Sequence, residues 1–390
     1  MSANYVNVTG FTIRNGTIGV YVGNIQGCNI SSNKIVGNNI GIQISGSYNL
    51  IYNNFFANYQ NNIVDSGYNY WNTTLNCLSG PNIIGGACIG GNFWSDYQGD
   101  DYDGNGISDD PIPYNSSGNI QNGGDYLPLL AIYFVSPTPQ SGSATNSNVT
   151  INVTHTISNY DTVLLNFSGT EYNITSTLNH TIDVSKYQDG TYWYYAWMND
   201  TDGMAYSTAT RFLIIDKTPP LFDFFETPKP LSSVYGNVEI KVAFHEEGGS
   251  GIANVIFYYN NGSGNVLIGS STSPISGQQH NGIWYSGVWN VTWDTSGLAD
   301  GPYTLIAKAY DNAKNSVEAP QIDVTLDNDR LALFCNVCKP ICNIYGKLHA
   351  SWKSYRRLTR WCLQHYNKLQ TACKDIYLHI YIPNKIQLNI

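Results

Sequence analysis

Residues 24–46 read NIQGCNISSNKIVGNNIGIQISG, and the same cadence stands on either side, in NVTGFTIRNGTIGVYVG (7–23) and NLIYNNFFANYQNNIVDSG (49–67). Each unit opens on Asn plus an aliphatic residue, passes through a short apolar alternation, turns on asparagines and ends in a second alternation such as IGVYV or IGIQI. Val20, Ile42 and Ile63 fall at equivalent places, 22 and then 21 residues apart. A unit of two or three short strands cannot bury an apolar face alone, but stacked units can, so this period predicts the coils of a parallel β-helix over about residues 1–67. The alternation puts Phe11, Ile13, Val20, Val22, Cys28, Ile30, Ile42, Ile44, Phe55 and Ile63 inside. Asn at the turns tolerates left-handed backbone and can stack in hydrogen-bonded ladders from coil to coil.

The rest of the chain fits an all-β protein. Charged residues are 12% of the 390, while Asn, Gly, Ser, Thr and Tyr are abundant, a mixture that serves helices poorly. From about residue 131 the strands lengthen and turn signals separate them, which predicts two immunoglobulin-like sandwiches, 131–216 and 217–328, with Asp216–Pro220 as a stiff boundary. Neither module has an intersheet cysteine pair, so Trp, Tyr, Val and Ile must form the cores.

Charge divides the chain sharply. Residues 1–329 carry 9 Lys/Arg against 27 Asp/Glu, and residues 330–390 carry 10 Lys/Arg against one acid. The acidic part excludes nucleic-acid binding, which needs clustered cations. The basic, cysteine-containing tail, 329–390, matches nothing before it and reads as frameshifted or otherwise non-native sequence. Its Cys335, Cys338, Cys342, Cys362, His365 and Cys373 lack a tidy second CxxC pair, so no metal is assigned there.

The coils followed by GGNFWSDYQGDDYDGNGISDDPIPY (90–114) and GGDYLPLL (123–130) resemble the NosD-type right-handed β-helix proteins, also grouped as carbohydrate-binding and sugar-hydrolase β-helices. Archaeal surface proteins carry many such repeats, and WDTSGLADGPYTLIAKAYDNAKN (293–315) resembles the immunoglobulin-like modules of prokaryotic surface proteins. The resemblance covers roughly residues 1–130 and implies a right-handed coil with a C-terminal cap. About three coils and no visible N-terminal cap suggest a fragment whose signal peptide is lost.

Within the cap, DDYDGNGISDD (100–110) has the oxygen spacing of a calcium loop. Asp101, Asp103, Asn105 and Asp109 stand at positions 1, 3, 5 and 9, Gly106 at the turn, and the Ile107 carbonyl can complete the set. Ile112 stands where a helix-loop-helix loop would place Glu, so Asp96, Asp100 or Asp110 would have to help. The bland alternative is a solvated acidic turn, which carboxylate repulsion disfavours. The expected ion is Ca²⁺ in a structural role.

Other candidates are weaker. Trp94 and Tyr97, or Tyr68, Tyr70 and Trp71 in GYNYWN (67–72), can stack on a sugar, or they can close the open end of the coil. Cys77 and Cys88 bracket a ten-residue Gly-rich loop and can form a disulfide in an oxidising compartment; two free thiols are the alternative. Copper wants His, Met or Cys ligands, and residues 2–154 contain no His or Met. The coils hold one acid, Asp65, too little for a paired-carboxylate site. Thirteen Asn-x-Ser/Thr sequons, several alternating with apolar strand residues as in NVTINVT (148–154), indicate an extracytoplasmic glycoprotein.

The resulting expectation is a non-catalytic surface protein, structural or adhesive, without a transmembrane segment. Its partners would be polysaccharide, envelope components or other surface proteins. The alternatives are a polysaccharide-cleaving enzyme whose catalytic coils are missing, and a NosD-like copper accessory protein.

Overall fold

The computed structural model describes residues 1–328, so the expectation for the basic tail lies outside it. The described residues divide into two compact units, Met1–Thr218 with Asn312–Asn315, and Pro219–Asp311 with 316–328. Apart from two single-turn 3-10 segments, all regular structure is β.

The first unit opens with three coils. Strands β1 (Asn7–Thr9), β2 (Thr12–Arg14) and β3 (Ile18–Val22) form the first, and β4 (Asn29–Ser31), β5 (Lys34–Val36) and β6 (Ile40–Ile44) the second. The third consists of β7 (Leu50–Tyr52), β8 (Phe55–Ala57) and β9 (Asn61–Asp65). Corresponding strands pair in parallel, β1-β4-β7, β2-β5-β8 and β3-β6-β9, so the chain winds through three sheets in turn: a parallel β-helix. Val8, Ile30 and Ile51 align in the first sheet, Ile13, Ile35 and Phe56 in the second, Val20, Ile42 and Ile63 in the third. A fourth, composite turn closes the stack. Tyr70 bridges to Leu50, β10 (Phe93–Trp94) pairs with β8, and Ile120 bridges to Asp65. At one corner the coils meet backbone on backbone: a Cβ on Gly46 would lie 1.9 Å from the Ile25 carbonyl oxygen, and one on Gly67 1.9 Å from that of Gly46.

Two predicted inward residues face elsewhere. Phe11 is 59% exposed, because it occupies the corner position that asparagine takes in later coils. Phe55 is buried, but outside the coil. Its neighbour Phe56 fills the interior, while the Phe55 ring stacks on Phe93 at 4.5 Å and joins the core of the following sandwich. Alternation fixes which residues share a face, and at Phe55-Phe56 a one-residue shift exchanges the faces.

The sandwich of the first unit packs a three-stranded antiparallel sheet, Ile132–Val135, Val149–His155 and Asn179–Ile182, on a six-stranded sheet centred on Gly190–Asp200. Ile151, Val153, Val163, Leu165, Phe167, Tyr194, Met198, Leu213 and Ile215 form its core. In the second unit the long strands Asn237–His245 and Ile283–Asp294 pair on one side, and Ile252–Asn260 and Gly301–Asp311 on the other. The two halves join through the single Ile252–Trp284 bridge, and Trp289, Trp293, Phe244 and Phe257 lie between them.

Candidate functional site: the cap and its acidic loop

The cap is built where three asparagine ladders run out of coils. At the first corner Asn49 accepts from the Cys28 backbone N–H, and its own N–H and Nδ2 donate to Asn69 Oδ1. At the second, Asn33, Asn54 and Asn92 are linked in the same manner. At the third the series is Asn38, Asn58 and Asn62. The left-handed turn positions belong to other residues, among them Tyr5, Asn15, Ser32, Tyr48 and Asn53, so most ladder asparagines are free of that strain.

Each ladder amide accepts from the member before and donates to the member after, so a group that only accepts suits the end of the series. All three end on aspartate. Asn69 donates to Asp65 Oδ1 at 2.9 Å, Asn62 to Asp96 Oδ1 at 2.7 Å, and the Asn92 N–H to Asp125 Oδ2 at 2.7 Å. Each carboxylate also receives an aromatic donor: Trp71 Nε1 at 3.0 Å on Asp65, Tyr114 OH at 2.8 Å on Asp96, and Trp94 Nε1 at 2.9 Å on Asp125. These aromatic rings form the lid. Trp94 stacks on Phe56 at 4.5 Å and on Tyr114 at 4.4 Å.

Burial pushes Asp125 from its ordinary 3.8 up to about 7 despite its donors, and raises Asp65 for the same reason. A carboxyl raised on folding keeps its proton where the unfolded chain has lost it. Its stabilising contribution is therefore full below about pH 4 and is lost as pH climbs to about 7. In calcium-free buffer the unfolding free energy of the first unit should fall across that window, and Asp125→Asn should flatten the slope. Urea titrations at half-unit pH intervals, followed by tryptophan fluorescence, check this.

The acidic loop lies beside the lid. Asp101 is 3% exposed, and its two carboxylate oxygens accept the Gly104 N–H at 2.6 Å and the Gly106 N–H at 2.7 Å. Asp103 accepts from Asn105, Asn105 Oδ1 from the Ile107 N–H, and Asp109 from the Tyr102 N–H. One carboxylate oxygen from each of Asp101, Asp103 and Asp109 lies within 4.8 Å of the others. Burial first, and the Asp103 charge after it, raise the Asp101 pKa. Ile107 is buried, its backbone bridging to Leu129.

Two of the three helpers are engaged elsewhere, and Asp110 is exposed. Asp96 ends a ladder, and Asp100 forms a 2.9 Å ion pair with Arg211 Nε. Arg211 is buried, donates to the Pro139 carbonyl at 3.1 Å and lies over the Phe134 ring, so this pair ties the loop to the sandwich. No charge pattern in the sequence announces a contact between residues 111 apart.

Of the candidate sugar platforms, Trp71 is fully buried, Tyr68 and Tyr70 are exposed, and Trp94 is a correction. At 1% exposure, with both ring faces covered, it offers nothing to a ligand; it is the lid itself. Tyr97 is half-buried, its hydroxyl 2.7 Å from Ser108 Oγ and from the Pro111 carbonyl, and it packs edge-on against Tyr114. Cys77 and Cys88 are joined by a disulfide, and Cys28 is a buried free thiol in the first corner column. Asp65, the one acid of the coils, is buried beneath Trp71, so the coil faces present no carboxylate pair.

Residues 1–99 match the family model of NosD, described as a periplasmic copper-binding protein. No curated protein matches the chain. Among solved structures, the fibronectin(III)-like modules of Clostridium thermocellum CbhA are similar at 15% identity and a TM-score of 0.32, over 56% of this chain and 100% of that one. Latent dimeric PorU from Porphyromonas gingivalis is similar at 11% identity and a TM-score of 0.23, over 56% of this chain and 27% of that one. A bacterial ice-binding adhesin involved in host cell surface retention is similar at 17% identity and 0.21, over 50% and 62%. The donors within residues 1–99 do not fit copper: there is no histidine, Met1 is the lone thioether, two cysteines are joined, the third is buried, and the remaining donors are chiefly amides, hydroxyls, carboxylates and phenols. No helix among the described residues is long and apolar enough to cross a membrane.

Proposed function

We propose that this chain is a non-catalytic module of a secreted or cell-surface protein, with a structural Ca²⁺ site in the cap of its β-helix and with polysaccharide or other envelope components as partners. Asp101, Asp103, Asn105, Asp109 and the Ile107 carbonyl would hold the ion. The observation that carries the reading is the convergence of three carboxylate oxygens within 4.8 Å around a nearly inaccessible Asp101. At an effective dielectric of 20, each such pair of charges repels by about 3 kcal/mol. A hard divalent ion turns that repulsion into binding. Mixed carboxylate, amide and carbonyl donors on a short Gly-containing loop suit calcium better than magnesium, which demands a near-ideal octahedron.

An extracytoplasmic setting supports this reading. The Cys77–Cys88 disulfide belongs in an oxidising compartment, and several sequon asparagines, including Asn148, Asn173, Asn179 and Asn261, are exposed for a glycan. Extracellular calcium modules bind in the range of roughly 0.1–1 mM. Raising calcium to about 100-fold over Kd should therefore lift the thermal midpoint of the wild-type chain by about 5 °C or more. Asp101→Ala should abolish the shift. An unchanged midpoint at about 100 mM calcium, about 100-fold over the upper Kd, removes the ion from the account.

A further inference from the structure

We infer that a column of tyrosines along one corner of the β-helix is a binding strip for a single neutral, extended polysaccharide chain. This rests on the proposed polysaccharide partner and assigns it a place. Tyr5, Gly27, Tyr48 and Tyr68 occupy one position in successive coils. The Tyr5 N–H donates to the Gln26 carbonyl, Gly27 to the Tyr48 carbonyl, and Tyr48 to the Tyr68 carbonyl. The three tyrosines are 73%, 61% and 65% exposed. A Cβ on Gly27 would stand 2.4 Å from Cδ1 and Cε1 of Tyr5, so the Tyr5 ring lies down over the glycine and fills that coil's share of the strip.

The corner is expensive for tyrosine. Tyr5 and Tyr48 hold φ of 59° and 60°, where Gly27 is relaxed at 70°. A bulky residue in left-handed backbone costs about 1–2 kcal/mol. Folding alone would favour Gly or Asn at these places, yet the chain sets aromatic rings there and leaves them in water.

Three features fix the occupant. Residues 1–64 contain no acid, and their two basic residues, Arg14 and Lys34, belong to the second sheet, so the strip offers no countercharge to an ionic ligand. Asn4, Gln26 and Ser47 lie next to it in sequence and supply neutral hydrogen-bonding groups. Coils repeat about every 4.8 Å. An extended, equatorially linked pyranose chain advances by a similar distance per sugar, so successive sugar faces can meet successive rings. At these exposures three tyrosines offer on the order of 400 Å², about half of the ~800 Å² per partner that a stable protein interface needs. The strip therefore fits one glycan chain better than a second copy of this protein.

The test is affinity electrophoresis of the full chain in gels containing hydroxyethylcellulose, mixed-linkage β-glucan or, as an acidic comparison, polygalacturonate. The wild type should be retarded by the neutral polymers. Tyr48→Asn and Tyr68→Asn should each weaken retardation about tenfold. Asn is relaxed in left-handed backbone, so Tyr48→Asn should leave the melting temperature equal or higher, which separates lost binding from lost fold. If wild type and both variants are retarded equally, the strip is overturned while the polysaccharide partner stands. If no polymer retards the wild type, both fall. Retardation by polygalacturonate that Tyr48→Asn and Tyr68→Asn relieve more than they relieve retardation by the neutral polymers, or a dimer in sedimentation velocity that Tyr48→Asn dissociates, also overturns the strip.

Discussion

Asp125→Leu should destabilise the first unit by about 3–5 kcal/mol. Asp125 is fully buried and accepts four donors: the Asn92 and Leu127 backbone N–H groups, Asn92 Nδ2 and Trp94 Nε1. Leucine replaces the volume and none of the acceptors, leaving the Asn92 and Leu127 N–H groups and Trp94 Nε1 dry and unpaired, while Asn92 Nδ2 keeps the Ile51 and Trp71 carbonyls. The loss propagates upward, because Asn92 is the acceptor for Asn54 and Asn54 for Asn33. Asp125→Asn keeps one acceptor oxygen and should cost about 1–2 kcal/mol. Urea unfolding followed by tryptophan fluorescence, with hydrogen exchange at the Asn33, Asn54 and Asn92 amides, measures both the total and its spread. Equal stability of the leucine variant would mean that the ladder ends are incidental.

Arg211→Met should cost about 3 kcal/mol or more, because it strands the largely buried Asp100 carboxylate without its cation. The Arg211 and Asp100 side chains are 4% and 15% exposed, so little solvent is available to screen the charge left behind. Combining Arg211→Met with Asp100→Leu should recover most of the loss, since removing both partners of a buried pair is often close to neutral. The single variant should also weaken calcium binding several-fold, because Asp100 precedes the first loop ligand. A double-mutant cycle on thermal unfolding, with and without calcium, separates the two effects.

The coil was legible because its signal is periodic. Val20, Ile42 and Ile63 were aligned by spacing, and they are register partners in the third sheet. The ladders were anticipated from asparagine at the turns, but their division of labour was not. Left-handed positions and amide positions lie one to a few residues apart in an Asn-rich corner, and composition cannot tell them apart. The ladder ends were invisible for a different reason. Asn62 meets Asp96 and Asn92 meets Asp125 across 34 and 33 residues of irregular cap, which carries no period. The same gap made Trp94 read as a possible platform, when Phe56 and Tyr114 cover it. Of the tyrosine strip only Tyr68 was legible as a sugar-stacking candidate, in GYNYWN (67–72); Tyr48 and Tyr5 are 20 and 63 residues away, and only the fold puts the three in one line. The acidic loop was legible as a spacing, since its carboxylates are close in sequence, whereas the removal of Asp96 and Asp100 to other partners is a tertiary fact.

Calorimetric titration of the intact chain with Ca²⁺ at pH 7, beside Asp101→Ala, tests the central claim most directly. The account predicts that the wild type takes up one more Ca²⁺ per chain than the variant, with a Kd of roughly 0.1–1 mM. Identical isotherms for the two proteins would contradict it.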